Sequence, residues 1–390
     1  MTRKLRLTLA SILAMCALGA IAPAANAYIY WTSLNGQIGR AENDGSKPKT
    51  LVTGLGSQLY SMAVGSGNIY WTDSLDSGPA VGRAKIDGTQ VNGRFFDTGS
   101  LGAPSGLAVD SSHIYWAGWQ SNKIGRADID GQNVEPEWIS GSGSDFGSGS
   151  VQTAGVAVNS QRIYWGNWRA GLSSALGPIG VAEITGSPST NEYVSSTNGA
   201  NSLAVTPNYL FWGNYGNGET GSIGRLEFGN DPTPDNDFIS GIKTPDGVAA
   251  DGNYIYWTNR TDGAIGRANL NGTGVNQTFL PGVASPYGIA VDSLTSPTLS
   301  AVKLMRRSAI VRVGCGNPLA GSCTVTLTGK KIGTSALTRS RTVTVQGASP
   351  VKATIAYTPK LIAALRKGGR ISIKAVKSVG GDNALTGRVR

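Results

Sequence analysis

Histidine is almost missing from this sequence: His113 is the only one in 390 residues. Cysteine is scarce, limited to Cys16, Cys315 and Cys323, and charged residues make up only 15% of the chain. These shortages exclude much chemistry. No His/Cys cluster has metal-ligand spacing, and neither His-Glu-x-x-His nor Gly-x-Ser-x-Gly occurs. No metal or cofactor is expected, and the chain reads as non-enzymatic. His113 precedes Ile114-Tyr115-Trp116, where equivalent segments carry Asn68, Arg162 and Tyr254, so it reads as a turn residue. No apolar run is long enough for a comfortable membrane span; the candidate, Leu7 to Ala20, falls short.

That run instead has the flanks of an export signal. Arg3, Lys4 and Arg6 precede it, and Ala25-Asn26-Ala27 is a small-x-small cleavage site, so residues 1–27 are read as a signal peptide. A lipoprotein would use Cys16, but Met15 stands where a small residue is needed. The expectation is a secreted, extracellular protein without a transmembrane anchor. Cleavage leaves Cys315 and Cys323, and an exported pair at this spacing suggests a disulfide, with two free thiols as the alternative.

Acidic residues are missing from one end. Residues 293–390 carry 17 basic groups and one acid, Asp382, whereas residues 28–292 carry 14 basic and 23 acidic groups. The basic segment has neither a long basic helix nor an aromatic platform, so no specific nucleic acid is expected. Its remaining readings are contact with an anionic cell-wall polymer or lipid headgroups, docking on the acidic segment, or a solvated face.

Glycine, in contrast, is abundant at 55 residues, which suits turns and short strands. An apolar triplet recurs as Ile29-Tyr30-Trp31, Ile69-Tyr70-Trp71, Ile114-Tyr115-Trp116, Ile163-Tyr164-Trp165, Leu210-Phe211-Trp212 and Ile255-Tyr256-Trp257, at spacings of 40, 45, 49, 47 and 45 residues. Two further elements recur in step: Ile-Gly-Arg-Ala, as at Ile265 to Ala268, and Gly-Leu-Ala-Val-Asp, as at Gly106 to Asp110. This period fits a four-stranded propeller blade. The last copy, Gly288 to Asp292, has no triplet after it, while Tyr28 begins on a triplet with no such run before it. The two ends complement each other and close a ring of six blades.

These residues resemble the YWTD propellers of the low-density-lipoprotein receptor family. The resemblance rests on Tyr70-Trp71-Thr72-Asp73, on Ile265 to Gly272 and on Gly288 to Asp292. It implies an extracellular binding scaffold, here in a bacterial secreted protein. Only Asp73 keeps the acid of the motif; the other copies carry Ser33, Gly118, Asn167, Asn214 and Asn259.

The expected fold is all-β: a six-bladed β-propeller over residues 28–292, a linker at 293–300, and a small immunoglobulin-like β-sandwich over 301–390, with one short helix at 359–367. The candidate site lies one residue past the motif's acid position, where the third to fifth blades carry Trp119, Trp168 and Tyr215 beside Asn167 and Asn214. Aromatics with amides suit a peptide, protein or glycan ligand. A propeller lyase or lactonase, using carboxylates gathered in the central channel, is the alternative.

Overall fold

The computed structural model describes residues 28–74, 78–119, 121–141, 151–169, 177–215, 221–229, 233–292, 298–304, 308–314, 322–331, 341–346, 351–359, 370–377 and 382–388. The expected signal peptide, Cys315 of the expected disulfide and all but Pro359 of the expected helix lie outside these residues.

Residues 28–292 form six antiparallel sheets of four strands each. Each takes its strands in repeat order. In the third blade these are Pro104–Val109, innermost, then His113–Gly118, Lys123–Asp128 and Glu135–Ser140. The ring closes as the phase of the repeats requires: Pro286–Asp292 pairs with Tyr28–Ser33, with Tyr28 opposite Asp292, Ile29 opposite Val291 and Trp31 opposite Ile289. The first blade therefore contains both ends of the segment.

The repeat residues explain the packing. The tryptophan of each triplet lies opposite the glycine of Ile-Gly-Arg-Ala, as with Trp257 and Gly266. A Cβ on Gly266 would stand 2.2 Å from the Trp257 indole, and the other five pairs are equally close. Glycine is needed there because the ring occupies the space of a side chain. The apolar core is accordingly a set of slabs between neighbouring blades. One slab joins Tyr115, Ile124 and Ile139 of the third blade to Val156, Ile163 and Trp165 of the fourth.

Polar residues fasten blade to blade. Thr32 Oγ1 accepts from Gly288 N–H (2.8 Å) and donates to the Leu59 carbonyl of the next blade (2.9 Å). Thr258 repeats this with Gly247 N–H (2.8 Å) and the Tyr287 carbonyl (2.9 Å). The repeat arginines clamp the opposite side. Arg267 lies 3.8 Å over the Phe279 ring and donates to the Asn43 carbonyl of the next blade (3.2 Å). The recurrent aspartates build turns: Asp110 Oδ1 accepts from Ser112 and His113 N–H at 2.6 and 2.7 Å. The Asp-Gly turns before the fourth strands are wider than two-residue hairpins. Asp87 accepts from Thr89 N–H at 2.9 Å, and Gln90 adopts a left-handed φ of 54°, before the strand begins at Asn92.

Past residue 297 two more sheets form. One contains Thr298–Leu304, Ser308–Gly314 and Val351–Ala356; the other contains Arg341–Gln346, Ser322–Lys331, Arg370–Lys377 and Asp382–Arg388. Val313, Leu327, Ala353, Ile355 and Tyr357 are buried, and Arg341 donates to the Thr354 carbonyl of the other sheet (2.6 Å). Thr298–Ser300, expected as linker, belongs to a strand because its residues pair with Gly314, Val313 and Arg312.

Candidate ligand-binding face

Each inner strand crosses the ring from one face to the other. The links between second and third strands therefore share a face with the blade-to-blade connections. Trp119 N–H, in the first kind of link, donates to the Ala103 carbonyl in the second (2.9 Å). This is the loop face; the turns that carry the recurrent aspartates form the other. The inner strands surround a channel of about 510 Å³, walled by Met62, Leu107, Val156, Leu203, Val248 and Ile289. Tyr60, Trp119, Asp246 and Tyr287 also line it, where the chain meets the loop face.

The three aromatics singled out in the sequence all occupy this face, and none is freely exposed. Trp119 and Trp168 stack on each other, with centroids 5.6 Å apart and planes at 22°. Tyr215 is half-buried, and its hydroxyl accepts from Arg260 Nη2 (3.0 Å). The two amides expected to meet a ligand do not reach the surface: Asn167 is 0% exposed and Asn214 is 1% exposed. Asn214 Nδ2 donates to the Asn236 carbonyl (2.7 Å), as Asn259 Nδ2 does to that of Gln277 (2.6 Å). Asn214 and Asn259 thus hold the outermost strand of their blades, because the strand pleat turns this position inward beside a half-buried next residue.

Sequence reasoning missed the other half of the mouth. The Asp246 carboxylate is fully buried, and its Oδ2 is 2.8 Å from Arg260 Nε. Arg260 lies 5.5 Å over the Tyr287 ring, and Tyr287 meets Tyr60 edge-on at 5.2 Å. Burial pushes the Asp246 carboxyl up to about 7, against the opposing pull of Arg260 and a hydrogen bond from Tyr287. A signal for this half did exist. The residue before the first glycine or serine of each inner-strand run reads Tyr60, Ser105, Ala154, Asn201, Asp246 and Tyr287. Its large or charged members fall in the sixth, first and second blades, complementary to Trp119, Trp168 and Tyr215 in the third to fifth.

The mouth thus offers stacked indole planes on one side and a neutralised ion pair with three tyrosines on the other. Among the described residues that line the channel, Asp246 is the one carboxylate. A lyase or lactonase of the kind weighed above needs two or three that converge. Among the described residues, no group of three or more His, Cys, Asp or Glu could hold a metal ion, and no helix is long and apolar enough to cross a membrane. His113 sits on the turn face, with Nε2 3.5 Å from Asp128 Oδ1.

No family model matches the chain. It is 31% identical over 121 residues to low-density lipoprotein receptor-related protein 1 of Pyricularia oryzae, a match that covers 28% of this chain and 39% of that protein. The chain thus spans well under two thirds of that relative. Among solved structures it is similar to a chain of the nidogen/laminin complex, with 19% identity and a TM-score of 0.54 over 68% of this chain and 98% of that one. It also matches a GH74 enzyme of Niastella koreensis, with 13% identity and a TM-score of 0.41 over 92% of this chain and 70% of that one. Repeat, ring closure and the first two likenesses agree: residues 28–292 are a six-bladed β-propeller, similar to the YWTD propellers of the low-density-lipoprotein receptor family.

Proposed function

We propose that this is an exported binding protein that captures a protein or peptide on the loop face of its propeller. The stacked pair Trp119–Trp168, beside the Tyr215–Arg260–Asp246–Tyr287 network, is the observation that carries this reading. Large rings already held in place lose little freedom when a ligand covers them, which favours them as anchors. The solved likeness to a chain of the nidogen/laminin complex supports a protein partner over a glycan. The two C-terminal sheets, with buried residues on each, support the immunoglobulin-like reading of residues 301–390.

The test uses the exported chain on peptide and glycan arrays and in pull-downs. Trp119→Ala and Trp168→Ala are expected to weaken capture by about 1–3 kcal/mol each with little change in melting temperature. Variants that lose folded protein, while the folded fraction still captures its partner, would show that the rings serve only packing.

A further inference from the structure

Arg260 stands in the link between the second and third strands of the sixth blade, Tyr254–Asn259 and Ala264–Asn269, and so on the loop face. Three neighbours fix its guanidinium. Nε is 2.8 Å from Asp246 Oδ2, Nη2 donates to the Tyr215 hydroxyl at 3.0 Å, and the group lies 5.5 Å over the Tyr287 ring. Among the described residues nothing engages Nη1, and the side chain is 29% exposed. The arginines that clamp the turn face behave differently. Arg40, Arg225 and Arg267 also lie over aromatic rings, but each spends Nη1 on a carbonyl of the next blade, that of Ile86, Leu270 or Asn43. Arg260 is therefore held like a clamp and yet keeps a donor nitrogen open at the mouth.

We propose that the open side of Arg260 receives one carboxylate of the captured peptide, while an apolar neighbour of that carboxylate covers Trp119 and Trp168 across the mouth. The inference rests on the reading that the loop face captures a peptide, and it names the chemistry of the contact. A guanidinium whose rotamer is already fixed loses little freedom when a carboxylate arrives, and charge-assisted hydrogen bonds are the strong ones. A single carboxylate fits better than an acidic run, because the propeller segment carries 23 acidic against 14 basic residues and repels a strongly acidic partner. The internal counter-ion does not close the site. Burial favours the neutral form of Asp246, up to about pH 7, and once Asp246 takes a proton the charge of Arg260 is uncompensated. The other titratable groups about this pair are Tyr287 and Tyr215, with Tyr60 against Tyr287. Lys243 and Asp262 form a separate pair of opposite charges at 3.2 Å.

The intact protein is to be panned against a random-peptide display library at about pH 6. Selected peptides are then made in matched sets, with each Asp or Glu exchanged for its amide and the C-terminus free or amidated, which separates a side-chain from a terminal carboxylate. Removing the one carboxylate is expected to weaken binding about tenfold or more. Arg260→Gln is expected to lose the same factor with the acid peptide and to bind the amide peptide as the unmodified protein does. Should Arg260→Gln melt markedly lower, Arg260→Lys keeps a charge beside Asp246, and it too is expected to lose affinity for the acid peptide alone. The pH profile supplies a readout that packing would not move. A bound carboxylate favours protonated Asp246, so affinity for the acid peptide should rise as pH falls through about 7, and Asp246→Asn should bind tightly with a flat profile down to about pH 5. Acid and amide peptides that bind alike, equal losses of both in Arg260→Gln, or affinity that rises with pH overturns the proposal and leaves the peptide reading standing. A library that yields no peptide dependent on Trp119 defeats that reading, and the proposal with it.

Discussion

Single residues set two of the sharpest constraints. Trp257 is 0% exposed, and a Cβ on Gly266 would stand 2.2 Å from its ring, so neither can yield easily. Gly266→Ala is expected to cost about 1–3 kcal/mol through overpacking, read as a lower denaturant midpoint at unchanged slope. A Gly93→Ala control, with nothing within 4 Å of the added Cβ, should be near neutral. The second constraint is Asp246, whose carboxyl burial raises from 3.8 to about 7. Between those values the folded chain holds a proton that the unfolded chain has released, so this group's contribution to stability falls as pH rises through that window. Asp246→Asn removes that titration. Denaturant unfolding at several pH values from about 4 to about 7 should show a flatter profile for the variant than for the unmodified chain. Parallel profiles would show that Arg260 holds the carboxylate ionised throughout.

At the scale of strands and blades, Pro286–Asp292 is the element on which the ring depends. It supplies the inner strand of the first blade, and Ile289 and Ala290 are buried against the neighbouring blades. Truncation after Leu280 removes it and leaves Tyr28–Ser33 as an open edge; truncation after Asp292 keeps it. The first is expected to melt far below the second, because burial of a residue such as Ile289 alone is worth about 1.5–3 kcal/mol and the exposed edge invites aggregation. Equal melting temperatures would mean that the ring holds without its closing strand. This element was legible in the sequence because a propeller is written as a period. Each blade repeats local signals, the tryptophan triplet and its facing glycine among them, and the phase of the ends dictates closure. The mouth was only half legible. Trp119, Trp168 and Tyr215 stand in one repeat column and could be read together. Asp246 and Arg260 come from two different columns and meet only because the connection into the sixth blade folds against that blade's next loop. Asn167 and Asn214 misled for a related reason: position past a motif does not reveal which way a strand turns its side chains.

The whole molecule segregates charge along the chain. The inner strand that closes the ring starts at Pro286, next to the loop face, and ends at Asp292, whose partner Tyr28 lies opposite Glu42 at the turn end of the blade. The chain therefore leaves the propeller on the turn face, away from Trp119, Trp168 and Tyr215. The propeller segment has 14 basic against 23 acidic residues, so it repels the polyanion that residues 293–390, with 17 basic and one acidic, would attract. Geometry and charge together predict that a ligand on the loop face and a polyanion on the basic segment bind without competition. Trp119→Ala should leave retention on poly(glycerol phosphate) unchanged at every salt concentration. The decisive measurement is bridging: polymer-coated beads loaded with the protein should still take up the ligand, to the same capacity as the protein in solution. Ligand that displaces the chain from the beads would place both contacts on one surface, and the tyrosine-and-arginine half of the mouth would then be the region to test.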